Sequence, residues 1–209
     1  MKKVLTLLVA VVAIMVCVVG CGEGNSSSSN LLTFDEYITK YNEYCANELE
    51  EDVNREKERG FSSGDMARES YSIIHPLYPL SRDLFVEDET ATISGQYYYT
   101  NSGRGLSVSC TTEDEDLVYL IRYAVVFSEE DYSGPELAYN LILSDLKNIL
   151  YPFWEDTTEA VNIFTELNEE LIDSGAQYAS REEEGIRYNI DIQEADGRIG
   201  VIYSVDFVH

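Results

Sequence analysis

Ile186-Arg187-Tyr188-Asn189-Ile190-Asp191-Ile192-Gln193 and Ile199-Gly200-Val201-Ile202-Tyr203-Ser204-Val205-Asp206-Phe207 flank the dipeptide Asp196-Gly197. Ile186, Tyr188, Ile190 and Ile192 fall on one side of an extended chain, as do Ile199, Val201, Tyr203, Val205 and Phe207. A period of two on both sides of an Asp-Gly pair predicts a β-hairpin with one buried face. Gln177–Arg181, just upstream, is placed to add an edge strand.

The same period recurs earlier. Ala91, Ile93, Gly95, Tyr97 and Tyr99 alternate with Thr92, Ser94, Gln96 and Tyr98. Asn101-Ser102-Gly103 then makes a turn, and Leu106, Val108 and Cys110 alternate with Ser107, Ser109 and Thr111, which points Cys110 inward. Leu117–Phe127 is apolar on both faces apart from Arg122, the pattern of a central strand.

Between and before these strands the period changes to that of a helix. Thr33-Phe34-Asp35-Glu36 has the form of a capping box, and Phe34, Ile38, Tyr41, Cys45 and Leu49 follow at helical spacing up to a stop at Gly60. Ser133-Gly134-Pro135-Glu136 offers a second box ahead of Ala138, Leu141, Ile142, Leu146, Ile149 and Leu150, with Pro152 as the end. A further helix runs from Asp156 through Ala160, Phe164, Leu167 and Leu171 to Gly175, which suits a left-handed cap. Met66 to Ile74 can be helical, but His75-Pro76 and Tyr78-Pro79 force extended backbone, so 61–86 reads as a loop packed across the domain. The sum is an α+β fold: one domain over 31–209, with an antiparallel sheet of five or six strands and helices on one face. This element order resembles the small sheets of TATA-binding-protein-like and cystatin-like folds.

The N-terminus carries a different message. Lys2 and Lys3 precede an apolar run from Val4 to Val19, and Val18-Val19-Gly20-Cys21-Gly22 follows. A basic start, an apolar stretch and a small residue before the cut describe a secretory signal. The run is 16 residues, whereas about 20 are needed to span a bilayer. With Cys21 directly after Gly20, the segment resembles the lipobox of bacterial lipoproteins. That resemblance implies removal of residues 1–20, diacylglycerol on Cys21, and an extracytoplasmic domain anchored by lipid to the cell membrane. Residues 22–30, Gly-Glu-Gly-Asn followed by four serines and Asn30, have no apolar surface to bury. They read as a tether of roughly 15–18 Å.

Charge narrows the partners. The chain has 14 Lys plus Arg against 39 Asp plus Glu, a net −25, and loss of Lys2 and Lys3 makes it −27. Such a surface is repelled by nucleic acid and by anionic headgroups, so the expected partner is a cell-envelope protein or glycan. Of the four cysteines, Cys17 leaves with the signal and Cys21 is acylated; Cys45 and Cys110 remain, as one disulfide or as two buried thiols.

Chemical motifs are sparse. Gly60-Phe61-Ser62-Ser63-Gly64 matches the G-x-S-x-G string, and His75 and Asp65 would nominally complete a triad, but a charged helix precedes the serine where a strand is required. Two histidines, His75 and His209, do not make a zinc set. The acidic runs at 87–89, 113–116, 129–131 and 182–184 lack the spaced calcium loop, and no nucleotide-binding string or cofactor is implied. The richest surplus is tyrosine, 16 residues. Alternation sends Tyr98 to the face opposite Tyr97 and Tyr99, so Tyr98, with Tyr119 or Tyr123, is the candidate ligand face of a sheet covered on one side only. A segment 61–86 folded over that face would be the alternative. The expected function is a non-catalytic binding module, with a cell-envelope hydrolase or a calcium-binding surface protein as the rival classes.

Overall fold

The computed structural model describes residues 31–60, 63–87, 96–101, 103–111, 116–154 and 156–207. In chain order these form α1 (Phe34–Glu58), α2 (Asp65–Ile74), a 3-10 turn (Arg82–Leu84), β1 (Val86–Glu87), β2 (Gln96–Asn101), β3 (Arg104–Cys110), β4 (Val118–Ser128), α3 (Pro135–Leu150), α4 (Thr158–Ser174), β5 (Tyr178–Glu183), β6 (Ile186–Ala195) and β7 (Arg198–Asp206). The signal segment, Cys21, the tether, Ser62 and the predicted strand residues 91–95 lie outside the described residues.

The β6–β7 hairpin forms as its alternation predicts, with Ile190 paired to Tyr203 and Tyr188 to Val205. Its turn places Asp196 at φ 52° and Gly197 at φ 70°, the two consecutive left-handed residues that match the twist of a tight hairpin. β7 then pairs with β4, and the sheet order is β1-β2-β3-β4-β7-β6-β5, every neighbour antiparallel. β4 is central, in keeping with its apolar character on both faces. The seventh strand beyond the expected five or six is β1; two residues are too few to carry a period.

One face of the sheet holds the main core. Leu106, Val108 and Cys110 from β3, Ile121, Tyr123 and Val125 from β4, and Val201, Tyr203 and Val205 from β7 pack with Phe34, Tyr37 and Tyr41 of α1, Ile142 and Leu146 of α3, and Phe164, Leu167 and Leu171 of α4. Leu77, Leu80 and Phe85 join this same core, and the Asn42 side chain holds their segment by bonding both Leu80 N and Leu80 O. Residues 63–85 therefore thicken the helical side and do not form a second layer on the other face. That other face carries a cross-strand row, Tyr98–Ser107–Arg122–Ser204–Asn189, and a small buried cluster of Tyr98, Ala124 and Ile202.

Caps follow local chemistry. Thr33 and Glu36 form the predicted box, Glu36 N donating to Thr33 Oγ1 at 3.3 Å and Thr33 N to Glu36 Oε2 at 2.9 Å. The box predicted at Ser133–Glu136 does not form, because Pro135 takes the first helical position it favours and leaves Gly134 as the N-cap. Gly175 ends α4 at φ 67°.

Gly64 is closely packed. It sits at φ 67°, and a Cβ there would lie 2.6 Å from Val53 Cγ1. Gly64→Ala is expected to lose about 2–4 kcal/mol, from left-handed strain plus overpacking against α1. Gly175→Ala, with open space around it, should lose only about 1–2 kcal/mol. Urea unfolding of the two variants measures the difference.

Candidate functional site

The three candidate tyrosines do not share a face. Tyr123 pairs across the sheet with Leu106 and Tyr203, in the row that faces the helices, and is 1% exposed. Tyr98 lies on the opposite side, yet it too is buried, at 3% exposure. Tyr119 is half-buried at the register shift between Ser109 and Cys110, beside Ser109 and Arg122. The shift breaks the parity that would have placed residues 119 and 123 together. Tyr98 and Tyr119 both lie near Arg122 on the side away from the helices, so two of the three candidates come together there, with Tyr98 buried, while Tyr123 lies on the helical side.

Cys45 and Cys110 are both free and both buried. They sit in separate surroundings: Cys45 on the buried side of α1 near Tyr71 and Asn148, Cys110 at the end of β3 against Val118. Burial pushes the Cys45 thiol up to about 11 and the Cys110 thiol up to about 12. At pH 8 alkylation should then run about two orders of magnitude slower than for an exposed cysteine, and mass spectrometry should show both sites modified together with unfolding. The sign for stability follows: both pKa values are raised on folding, so this contribution is intact below about pH 9 and is lost as pH rises through 11 and 12.

The nominal triad is not built as drawn from the G-x-S-x-G string. Asp65 is exposed at the start of α2, while His75, 6% exposed, turns to Asp145, its Nδ1 2.7 Å from Asp145 Oδ1. Among the described residues, no three His, Cys, Asp or Glu side chains are grouped to hold a metal.

Asp145 is the centre of the most polar part of the core. It comes from α3, is 3% exposed, and its Oδ2 accepts from Arg104 Nη1 and from the Tyr123 hydroxyl. Burial first, then the Asp145 charge, keeps the Tyr123 phenol well above its ordinary value, so it remains a donor. His75 must carry its proton on Nδ1 to bond Asp145, so the Asn148 carboxamide presents its oxygen to the ring at 3.3 Å. Its nitrogen then donates to Ser144 O at 3.2 Å and Glu48 Oε2 at 3.1 Å. The Tyr71 hydroxyl and Cys45 Sγ lie 3.4 Å from the same Asn148 atom that faces His75. Arg104 also donates to Ile74 O, tying β3 to the end of α2.

His75, Cys45 and Tyr123 drew notice in the sequence for other reasons, but Asp145, Arg104 and Asn148 did not, and no motif joined them. The signal that could have found them is local: Asp145 and Asn148 interrupt the buried stripe Ile142, Leu146, Ile149 and Leu150, where a carboxylate and an amide need partners. What the cluster can do chemically is limited by its closure. His75, Asp145 and Cys45 are all at most 6% exposed, and each is bonded to another member.

Two concavities stand out among the described residues. One, of about 390 Å³, is lined by Lys40, Glu43, Tyr44, Asn47, Tyr151 and Phe153; its floor is the Tyr44–Tyr151 stack, centroids 3.9 Å apart. The other, of about 60 Å³, lies where Trp154 and Tyr188 meet the start of α4 and the β5–β6 turn. No known protein family, no curated protein and no solved structure matches this chain. No described helix is long and apolar enough to cross a membrane.

Proposed function

We propose that the chain is the precursor of an extracytoplasmic lipoprotein, acylated at Cys21, whose acidic domain acts as a non-catalytic binding module for a component of the cell envelope. The anchor rests on Lys2-Lys3, the apolar run and Val18-Val19-Gly20-Cys21. Two acyl chains or more, each buried methylene contributing about 0.8 kcal/mol, would hold the domain stably.

The observation that carries the non-catalytic reading is the closed cluster around Asp145. Its acid, base and thiol are turned on one another and away from solvent, whereas the aromatic-floored cleft of about 390 Å³ falls in the size range of ligand sites, about 300–1,000 Å³. With Tyr98 buried, the binding surface moves from the sheet to these clefts. Crosslinking in intact cells followed by pull-down should recover an envelope component whether or not chelator is present, and equally with Ser62→Ala. Hydrolytic turnover lost with Ser62→Ala would replace this reading with the hydrolase; capture abolished by chelator would replace it with the calcium-binding protein.

A further inference from the structure

The larger cleft is walled on one side by α1. Lys40, Glu43, Tyr44 and Asn47 line it and recur three and four positions apart, the spacing that brings side chains together on one face of a helix. Tyr151 and Phe153, which follow directly on α3, form the other wall. Tyr44 and Tyr151 are both half-buried, and their rings stack with planes 21° apart. At about 390 Å³ the cleft has room for a whole small ligand.

The aromatic floor is fixed from inside the protein. The Tyr44 hydroxyl donates to Glu48 Oε1 at 3.0 Å, Glu48 Oε2 accepts from the Asn148 amide at 3.1 Å, and the Asn148 oxygen faces His75. Asn148 is 1% exposed, and His75 bonds Asp145. Tyr44 is thus the outer end of a hydrogen-bonded chain that reaches the buried carboxylate. A ring held in this way has little freedom left to lose when a ligand lies against it, which is the advantage of a preorganised site. The polar wall is the opposite case: Lys40, Glu43 and Asn47 are exposed, and among the described residues their side chains make no hydrogen bond or ion pair.

Those three side chains select the ligand. One ammonium and one carboxylate cancel, so the wall favours neither sign: a cation meets Lys40, and an anion meets Glu43 on a molecule of net charge −25. A wholly apolar ligand would take water from Lys40, Glu43 and Asn47 and return no hydrogen bond. Lysine only donates, an ionised glutamate only accepts, and an asparagine amide does both. A set of hydroxyls satisfies all three. We propose that this cleft binds a neutral saccharide, with a C–H face of the sugar ring against the Tyr44–Tyr151 floor and its hydroxyls bonding Lys40, Glu43 and Asn47. The site narrows the envelope component of the binding-module reading to a glycan and rests on that reading.

Titration calorimetry of the full chain, in a detergent without a sugar head group, tests this against cellobiose, maltose and N,N′-diacetylchitobiose. Saturable binding of at least one of these disaccharides is expected. For that disaccharide, Asn47→Ala should weaken binding about fivefold through the lost hydrogen bond. Asn47 is exposed on a helix, where alanine is favoured, so this variant keeps the fold. Tyr151→Leu, which keeps apolar bulk without a ring, should weaken binding about fivefold as well. Neither n-butylammonium nor acetate, at constant ionic strength, should compete. Failure of all three disaccharides to bind, unchanged affinity in Asn47→Ala, or competition by either ion overturns the proposal. If no disaccharide binds while envelope capture persists, the module reading survives without this site; if capture fails as well, both fall.

Discussion

Asp145→Asn is expected to destabilise the domain by about 3–5 kcal/mol. The carboxylate takes hydrogen bonds from His75, Arg104 and Tyr123 at 3% exposure. An amide of the same shape turns two hydrogens towards donors and removes the charge that Arg104 pairs with. Arg104 is mostly buried, at 14% exposure, and breaking a buried pair from one side costs far more than the pair contributes intact. For a domain of this length the loss corresponds to a fall in Tm of roughly 6–20 °C. Arg104→Met combined with Asp145→Asn should recover part of that fall, since it removes the stranded charge; a double variant no more stable than the single one would show that the salt bridge is not the source.

Phe164→Ala should be of similar size, about 3–5 kcal/mol. Phe164 is fully buried and meets Tyr188 and Tyr203 edge to face at 5.6 and 5.5 Å. It is the point at which α4 is keyed to β6 and β7, and neighbours on a rigid sheet cannot collapse into the space left behind. Chemical denaturation should show a lower midpoint with an unchanged slope. Because Phe164 also backs Tyr188, the variant should loosen the Trp154 recess as well.

The parts of the fold that were legible in the amino-acid order are those whose signal is local. The Asp196-Gly197 hairpin, the Thr33–Glu36 cap, the central position of Leu117–Phe127 and the Gly175 cap each depend on residues within a few positions of one another. The failures all involve distance. Asp145 draws its partners from positions 75, 104 and 123, and the burial of Leu77, Leu80 and Phe85 depends on α1 and the sheet closing over them. Alternation alone left either Tyr119 or Tyr123 to join Tyr98, and the register shift at Ser109 decides which side each one faces. The recess at Trp154 is harder still, since Trp154, Glu159 and Glu183 carry no shared period and meet only because α4 lies beside the β5–β6 turn. Sequence alone showed the surplus of tyrosine, but not that the Tyr132 and Tyr203 hydroxyls would be buried without a partner among the described residues.

The proposed lipid anchor outside the membrane depends on one residue, and Cys21→Ala tests it most directly. Cells expressing the chain or the variant are labelled with a radioactive fatty acid and fractionated. The account predicts label on the wild-type chain and its recovery with the membranes, with neither label nor stable membrane retention for Cys21→Ala. Labelling of the variant, or an unlabelled wild-type chain retained through an uncleaved N-terminal segment, would contradict it.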